Sequence, residues 1–118
     1  MLVTVHVVDT QPGVSVLSRK WEFDVPKITL RELLRERVRR DVEAFNRRRP
    51  EVYRGLVQPE DSERVDAGRE YEHALKAFES NGFLVFAAGR QIDSLDEEID
   101  LESAGEVEFL KLIPLVAI

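Results

Sequence analysis

A chain of 118 residues that is 43% hydrophobic and 34% charged has the balance of one globular domain with a single core, which excludes a disordered polymer and leaves no room for two full domains. The absence of cysteine excludes disulfides, thiolate zinc sites and a cysteine nucleophile, and it fits a reducing, cytoplasmic location. The net charge of −6 is unevenly spread: residues 27–54 hold ten Lys/Arg against five Asp/Glu, and residues 55–118 hold five against fifteen, so the acidic whole repels nucleic-acid phosphate while one segment is basic.

The N-terminal Met1-Leu2-Val3-Thr4-Val5-His6 has no basic region and no cleavage-like site, so no signal peptide is expected. No apolar run approaches the roughly 20 residues that cross a bilayer, so no membrane span is expected. Leu2 to Val8 reads as a strand, with Val3, Val5 and Val7 alternating onto one face. Asp9-Thr10-Gln11-Pro12-Gly13 carries turn chemistry. A second strand is expected from about Val16 to Val25, with Trp21, Phe23 and Val25 on one face and Lys20, Glu22 and Asp24 on the other. The short turn predicts a hairpin.

Pro26 ends that strand. Thr29-Leu30-Arg31-Glu32 matches a capping box, and Ile28 with Leu33 matches a hydrophobic staple. Leu30, Leu33, Leu34, Val38, Val42 and Phe45 recur at helical spacing until Arg47-Arg48-Arg49 and Pro50 close the helix. Its basic residues read as a solvated helix face in preference to a binding patch. From Glu51 to about Val65 no period is visible; Tyr53, Leu56 and Val57 are candidate anchors, and the stretch is either a functional loop or a short element without a signature. A second helix is expected from about Asp66 to Ser80, with Tyr71, Ala74, Leu75 and Phe78 on one face and Asn81-Gly82 as its C-cap, Gly taking the left-handed conformation. Phe83 to Ala88 reads as a strand apolar on both faces, Gly89-Arg90 as a turn and Gln91-Ile92 as the start of a short partner strand. Asp93 to Glu102 reads as an acidic loop with Leu95, Ile99 and Leu101 dipping inward, and Glu106 to Val116 as the last strand.

Strands on either side of one long amphipathic helix predict an α+β fold, a mixed sheet with the helix packed on one face and the first and last strands as central neighbours. Val5, Trp21, Phe23, Leu33, Leu34, Val38, Val85 and Val107 are its expected core. In the last strand Val107 and Phe109 alternate with Glu106 and Glu108. That parity puts Lys111 inside and Leu110 and Leu112 outside. Either a bulge after Phe109 resets it, or Lys111 lies at the rim and reaches solvent.

The element order, together with Phe83-Leu84-Val85-Phe86-Ala87-Ala88-Gly89-Arg90-Gln91-Ile92-Asp93, resembles the ubiquitin-like β-grasp family, in which an apolar strand meets a Gly-basic-Gln-apolar-acidic turn. Glu106 to Leu112 is similar to the closing strand of that family, and Ile28 to Leu34 to its helix start. The resemblance implies a single β-grasp domain over residues 1–118, with 51–81 as a loop–helix insertion. It also implies binding through the exposed sheet face, here Thr4, His6, Val8, Lys20, Glu22, Leu110 and Leu112. Conjugating members and sulfur carriers end in Gly-Gly, whereas this chain ends Leu115-Val116-Ala117-Ile118. The expectation is therefore a non-conjugating, non-enzymatic adaptor without a cofactor, as bacterial secretion and modification systems contain. Its partner is another protein or a second copy, not nucleic acid. The alternatives are a self-assembling subunit whose basic helix docks on the acidic segment of a neighbour, or a diverged sulfur-carrier-like protein without the reactive tail.

No catalytic or metal site is expected. His6 and His73 read as ordinary surface histidines, because a metal would need several converging ligands. Asp93, Asp96, Glu97, Glu98 and Asp100 lack the glycine-punctuated spacing of a calcium loop. The serines lack a nucleophile elbow, and there is no Gly-rich phosphate loop.

Overall fold

The computed structural model describes residues 2–11, 14–48 and 66–112. The expectations for Pro12-Gly13, for Arg49-Pro50, for the stretch 51–65 and for the end of the chain after Leu112 lie outside them.

Strand β1 (Val3–Gln11) and strand β2 (Val14–Phe23) form the antiparallel hairpin. Asp9 belongs to β1 and is buried, which corrects the turn expected to begin there. The second strand starts and ends two residues earlier than expected, so Val25 lies beyond it and is exposed. A short strand β3 (Lys27–Thr29) leads directly into helix α1 (Leu30–Arg48). The capping box forms: Thr29 Oγ1 accepts from the Glu32 amide at 3.2 Å, and the Glu32 carboxylate accepts from the Thr29 amide at 3.3 Å.

Helix α2 (Ala67–Glu79) is capped by Asp66, whose carboxylate accepts from the Arg69 amide at 3.0 Å. At its other end Asn81, not Gly82, adopts the left-handed conformation, with φ 59°. The Gly82 amide donates to Ala77 O at 2.7 Å and the Asn81 amide to Phe78 O at 3.1 Å. This is the paired bonding of a Schellman end, in which asparagine can stand where glycine is commoner.

Strand β4 (Phe83–Ala87) and strand β5 (Arg90–Ile92) follow. The segment expected to be only an acidic loop contains strand β6 (Glu98–Asp100) and a short helix α3 (Leu101–Ala104). Here β6 pairs with β3, Ile28 opposite Ile99, as a second small sheet. Gly105, at φ 67°, turns the chain into strand β7 (Glu106–Lys111).

The main sheet is mixed, five-stranded and ordered β2-β1-β7-β4-β5, with β1 and β7 parallel and the other pairs antiparallel. That arrangement is compatible with the β-grasp order the resemblance implies. Val3, Val5, Val7, Phe23, Phe83, Val85, Val107 and Phe109 on its inner face pack with Leu30, Leu33, Leu34, Val38, Val42 and Phe45 of α1. Trp21 is only half-buried against this core, contrary to expectation. Helix α2 packs beside α1, with Phe78 meeting Phe83 at 5.9 Å between ring centroids and Arg35 lying over Tyr71 at 5.1 Å.

Candidate functional site

The period-two alternation of a strand sends every second side chain to the face away from α1. On β1 these are Thr4, His6, Val8 and Thr10, on β2 Ser18, Lys20 and Glu22, on β4 Leu84 and Phe86, and on β7 Glu106, Glu108 and Leu110. All are exposed or half-buried, whereas the fully buried sheet side chains lie on the inner face. Register joins the outer ones into rows. One row crosses the sheet as Lys20, His6 and Glu106, the next as Ser18, Val8, Glu108 and Phe86, and the next as Thr10, Leu110 and Leu84. Val8, Leu84, Phe86 and Leu110 therefore form a half-exposed apolar area over three adjacent strands. Leu112, 42% exposed, stands at the end of β7. Every residue expected on the outer face lies on it or at its margin. From sequence Phe86 reads as core together with Phe83, and Leu84 has no assignment; the structure places both on the outer face, because their strand is apolar on both faces and its outward parity carries no polar marker.

The parity conflict in β7 resolves without a bulge. The β4–β7 register runs unbroken from Val107 to Lys111, so Lys111 faces inward and reaches within 3.8 Å of Asp9. Burial lowers the pKa of its ammonium, with the Asp9 carboxylate acting in the opposite direction.

This lysine borders an ionic cluster that the sequence reading missed. Arg37 is fully buried and donates to both carboxylate oxygens of Asp9, at 2.5 and 2.6 Å, and to Asp41 at 3.0 Å. Arg19 joins from β2, at 2.8 Å from Asp41 and 3.2 Å from Asp9. Burial opposes the Arg37 charge, but Asp41 and Asp9 more than offset it and raise its pKa. The signal was present: Asp9 continues the inward parity of Val3, Val5 and Val7, and Arg37 and Asp41 fall within the apolar stripe of α1.

Several other charged side chains are paired within the chain. Arg39 and Arg40 pair with Glu36, Arg39 also with Glu43, and Arg31 with Asp96. Arg40 additionally donates to Glu22 O at 2.7 Å. In the acidic segment Glu97 pairs with Arg90, and Asp100 caps α3. A hydrogen bond from the Ser103 amide holds the Asp100 carboxyl below its ordinary range. His73 is not a surface histidine as expected: its side chain is 19% exposed and lies 3.5 Å from buried Glu70. Burial raises the pKa of Glu70, and neighbouring His73 acts against that rise. Among the described residues no group of three or more His, Cys, Asp or Glu side chains could hold a metal, and no helix is long and apolar enough to cross a membrane.

Comparison with protein-family models, curated proteins and solved structures finds no match. The outer face must therefore be interpreted on its own chemistry. A groove at the β4–β5 edge borders Leu84, but its lining is mostly polar, with Arg31, Glu79, Asn81, Gln91, Asp93 and Asp96 beside Phe78 and Leu95.

Proposed function

We propose that the chain is a ubiquitin-like β-grasp module that acts by binding another protein through its outer sheet face, and not by catalysis. The fold assignment draws support from the strand order with parallel β1 and β7 at its centre, from the single long helix on the opposite face, and from the resemblance of the β4–β5 and β7 segments. The observation that carries the binding role is the group Val8, Leu84, Phe86 and Leu110. These are apolar side chains on three neighbouring strands, on the face opposite α1, and none of them is fully buried. A rigid backbone presents them, so little conformational entropy is lost when a partner covers them. A half-exposed apolar centre within a polar rim is the general anatomy of an interaction surface. The alternative in which the basic helix docks on a neighbour draws less support, because Arg31, Arg37, Arg39 and Arg40 already have acidic partners in the chain.

A photo-crosslinking amino acid at Phe86 tests this in the cell of origin, with the same group at exposed Arg39 on α1 as the control. A discrete adduct at Phe86, absent at Arg39 and abolished by Leu110→Asp in a chain with an unchanged melting midpoint, is the expected result. A crosslinked homodimer from Phe86 would identify the partner as a second copy. Adducts at Arg39 alone, or none, would exclude the outer face.

A further inference from the structure

Resting on that reading of the outer face, we infer that it selects a cationic partner: an apolar protein segment bearing an arginine or lysine whose charged end pairs with Glu108. Glu108 is in register with Val8 on one side and Phe86 on the other, and Leu110 follows it on the same face of β7. Glu108, half-buried as a residue, thus stands in the middle of the apolar area. It takes part in no hydrogen bond or ion pair with any described residue. With no counter-ion among the described residues, its hydration is left to solvent. A partner that covers Val8, Phe86 and Leu110 removes that water, and an unpaired carboxylate in the resulting dry contact is strongly unfavourable. A neutral or acidic segment would leave it unpaired. A cation supplies the charge-assisted bond that offsets the desolvation.

The surroundings have the same sign. Glu106 lies two residues before Glu108 on the same strand face, and Glu22 lies on β2, whereas Lys20 is the one Lys or Arg among the described outward-facing residues of β1, β2, β4 and β7. Lys20 is opposite His6, away from Glu108. The negative potential is therefore concentrated over β7, at the apolar centre, and not only at the rim. The Phe86 ring beside Glu108 favours arginine over lysine. A guanidinium can bond the carboxylate and stack on the ring face together, which a point-charge ammonium does less well.

The test selects short random peptides from a displayed library against the full chain and sequences those whose binding is lost with Leu110→Asp. The expected set pairs apolar residues with arginine or lysine and is depleted in Asp and Glu. Affinity for a selected peptide should fall about tenfold in Glu108→Gln. Glu108→Arg should turn selection toward acidic peptides. Both variants should keep the wild-type melting midpoint, since the position faces outward. If no peptide depends on Leu110, the outer face does not bind protein segments, and the proposed function fails together with this inference. If Leu110-dependent peptides carry no excess of cations, or bind Glu108→Gln as tightly as the wild type, the charge selection is wrong and the binding face stands.

Discussion

Replacing Arg37 with methionine removes the centre of the buried ionic cluster while roughly keeping the volume of the side chain. Arg37 makes three bonds of 3.0 Å or less to Asp9 and Asp41, and its guanidinium lies 4.6 Å from the centroid of the Phe109 ring. Both carboxylates are buried, so the variant must either keep them charged with fewer partners or protonate them. Removing one partner of a buried ion pair costs about 3–5 kcal/mol. Arg19, at 2.8 Å from Asp41 and 3.2 Å from Asp9, and Lys111, at 3.8 Å from Asp9, stay in place. The loss should therefore sit at the low end, about 3 kcal/mol. Against a total stability of roughly 5–15 kcal/mol, this lowers the urea midpoint by about 2 M at a slope of about 1.5 kcal/mol per molar. The thermal midpoint should fall by about 10 °C. Urea melts of the wild type, of Arg37→Met and of the triple variant Asp9→Val, Arg37→Met, Asp41→Leu measure it. The triple variant should recover only part of the loss, because apolar replacement removes the desolvation cost of the three buried groups while Arg19 and Lys111 lose the carboxylates of Asp9 and Asp41 and must reach solvent. A single-variant loss under about 1 kcal/mol, the range of an exposed pair, would refute the reasoning. A triple variant weaker than the single one would show that depriving Arg19 and Lys111 of Asp9 and Asp41 costs more than the apolar packing returns.

Leu34, fully buried between α1 and the sheet, should cost about 2–5 kcal/mol on truncation to alanine, read from the same melts. A loss below about 0.5 kcal/mol would mean that the site does not pack as described. Glu70 offers a pH-dependent measurement. Burial raises its pKa in the folded chain, so the native state holds that proton more tightly than the unfolded chain does. Its contribution favours the fold below the ordinary glutamate value of about 4.3 and is lost as pH rises through the raised native value. Glu70→Gln removes this term. The melting midpoint of the variant should therefore gain on that of the wild type as pH rises from about 4 toward 7; parallel profiles would show that Glu70 titrates alike in both states.

Much of the architecture was legible in the chain because it follows from short-range periodicity. The alternation of Val3, Val5 and Val7 orients β1, and the leucine stripe with its Thr29–Glu32 cap defines the start and the buried face of α1. The outer face was legible for the same reason: once Val107 and Phe109 point inward, Leu110 must point outward. The parity also forced Lys111 inward, and the sequence left open whether a bulge would prevent it. The unbroken β4–β7 register settles that point, because Asp9 waits where the ammonium arrives.

Three-dimensional contact decided what periodicity could not. Strand β6 is three residues in an acidic stretch, too short to show alternation, and it exists because Ile99 meets Ile28 from a strand about 70 residues away in the chain. Arg37 and Asp41 interrupt an apolar stripe and looked like part of a solvated basic helix; they are core residues only because Asp9 and Arg19 converge on them from β1 and β2. His73 likewise proved half-buried beside Glu70, which its place in the sequence of α2 did not indicate. A side chain's direction is set by its own backbone and can be read locally. Whether a charge at that position is tolerated depends on the charges brought to it by distant segments, and only the folded chain supplies them.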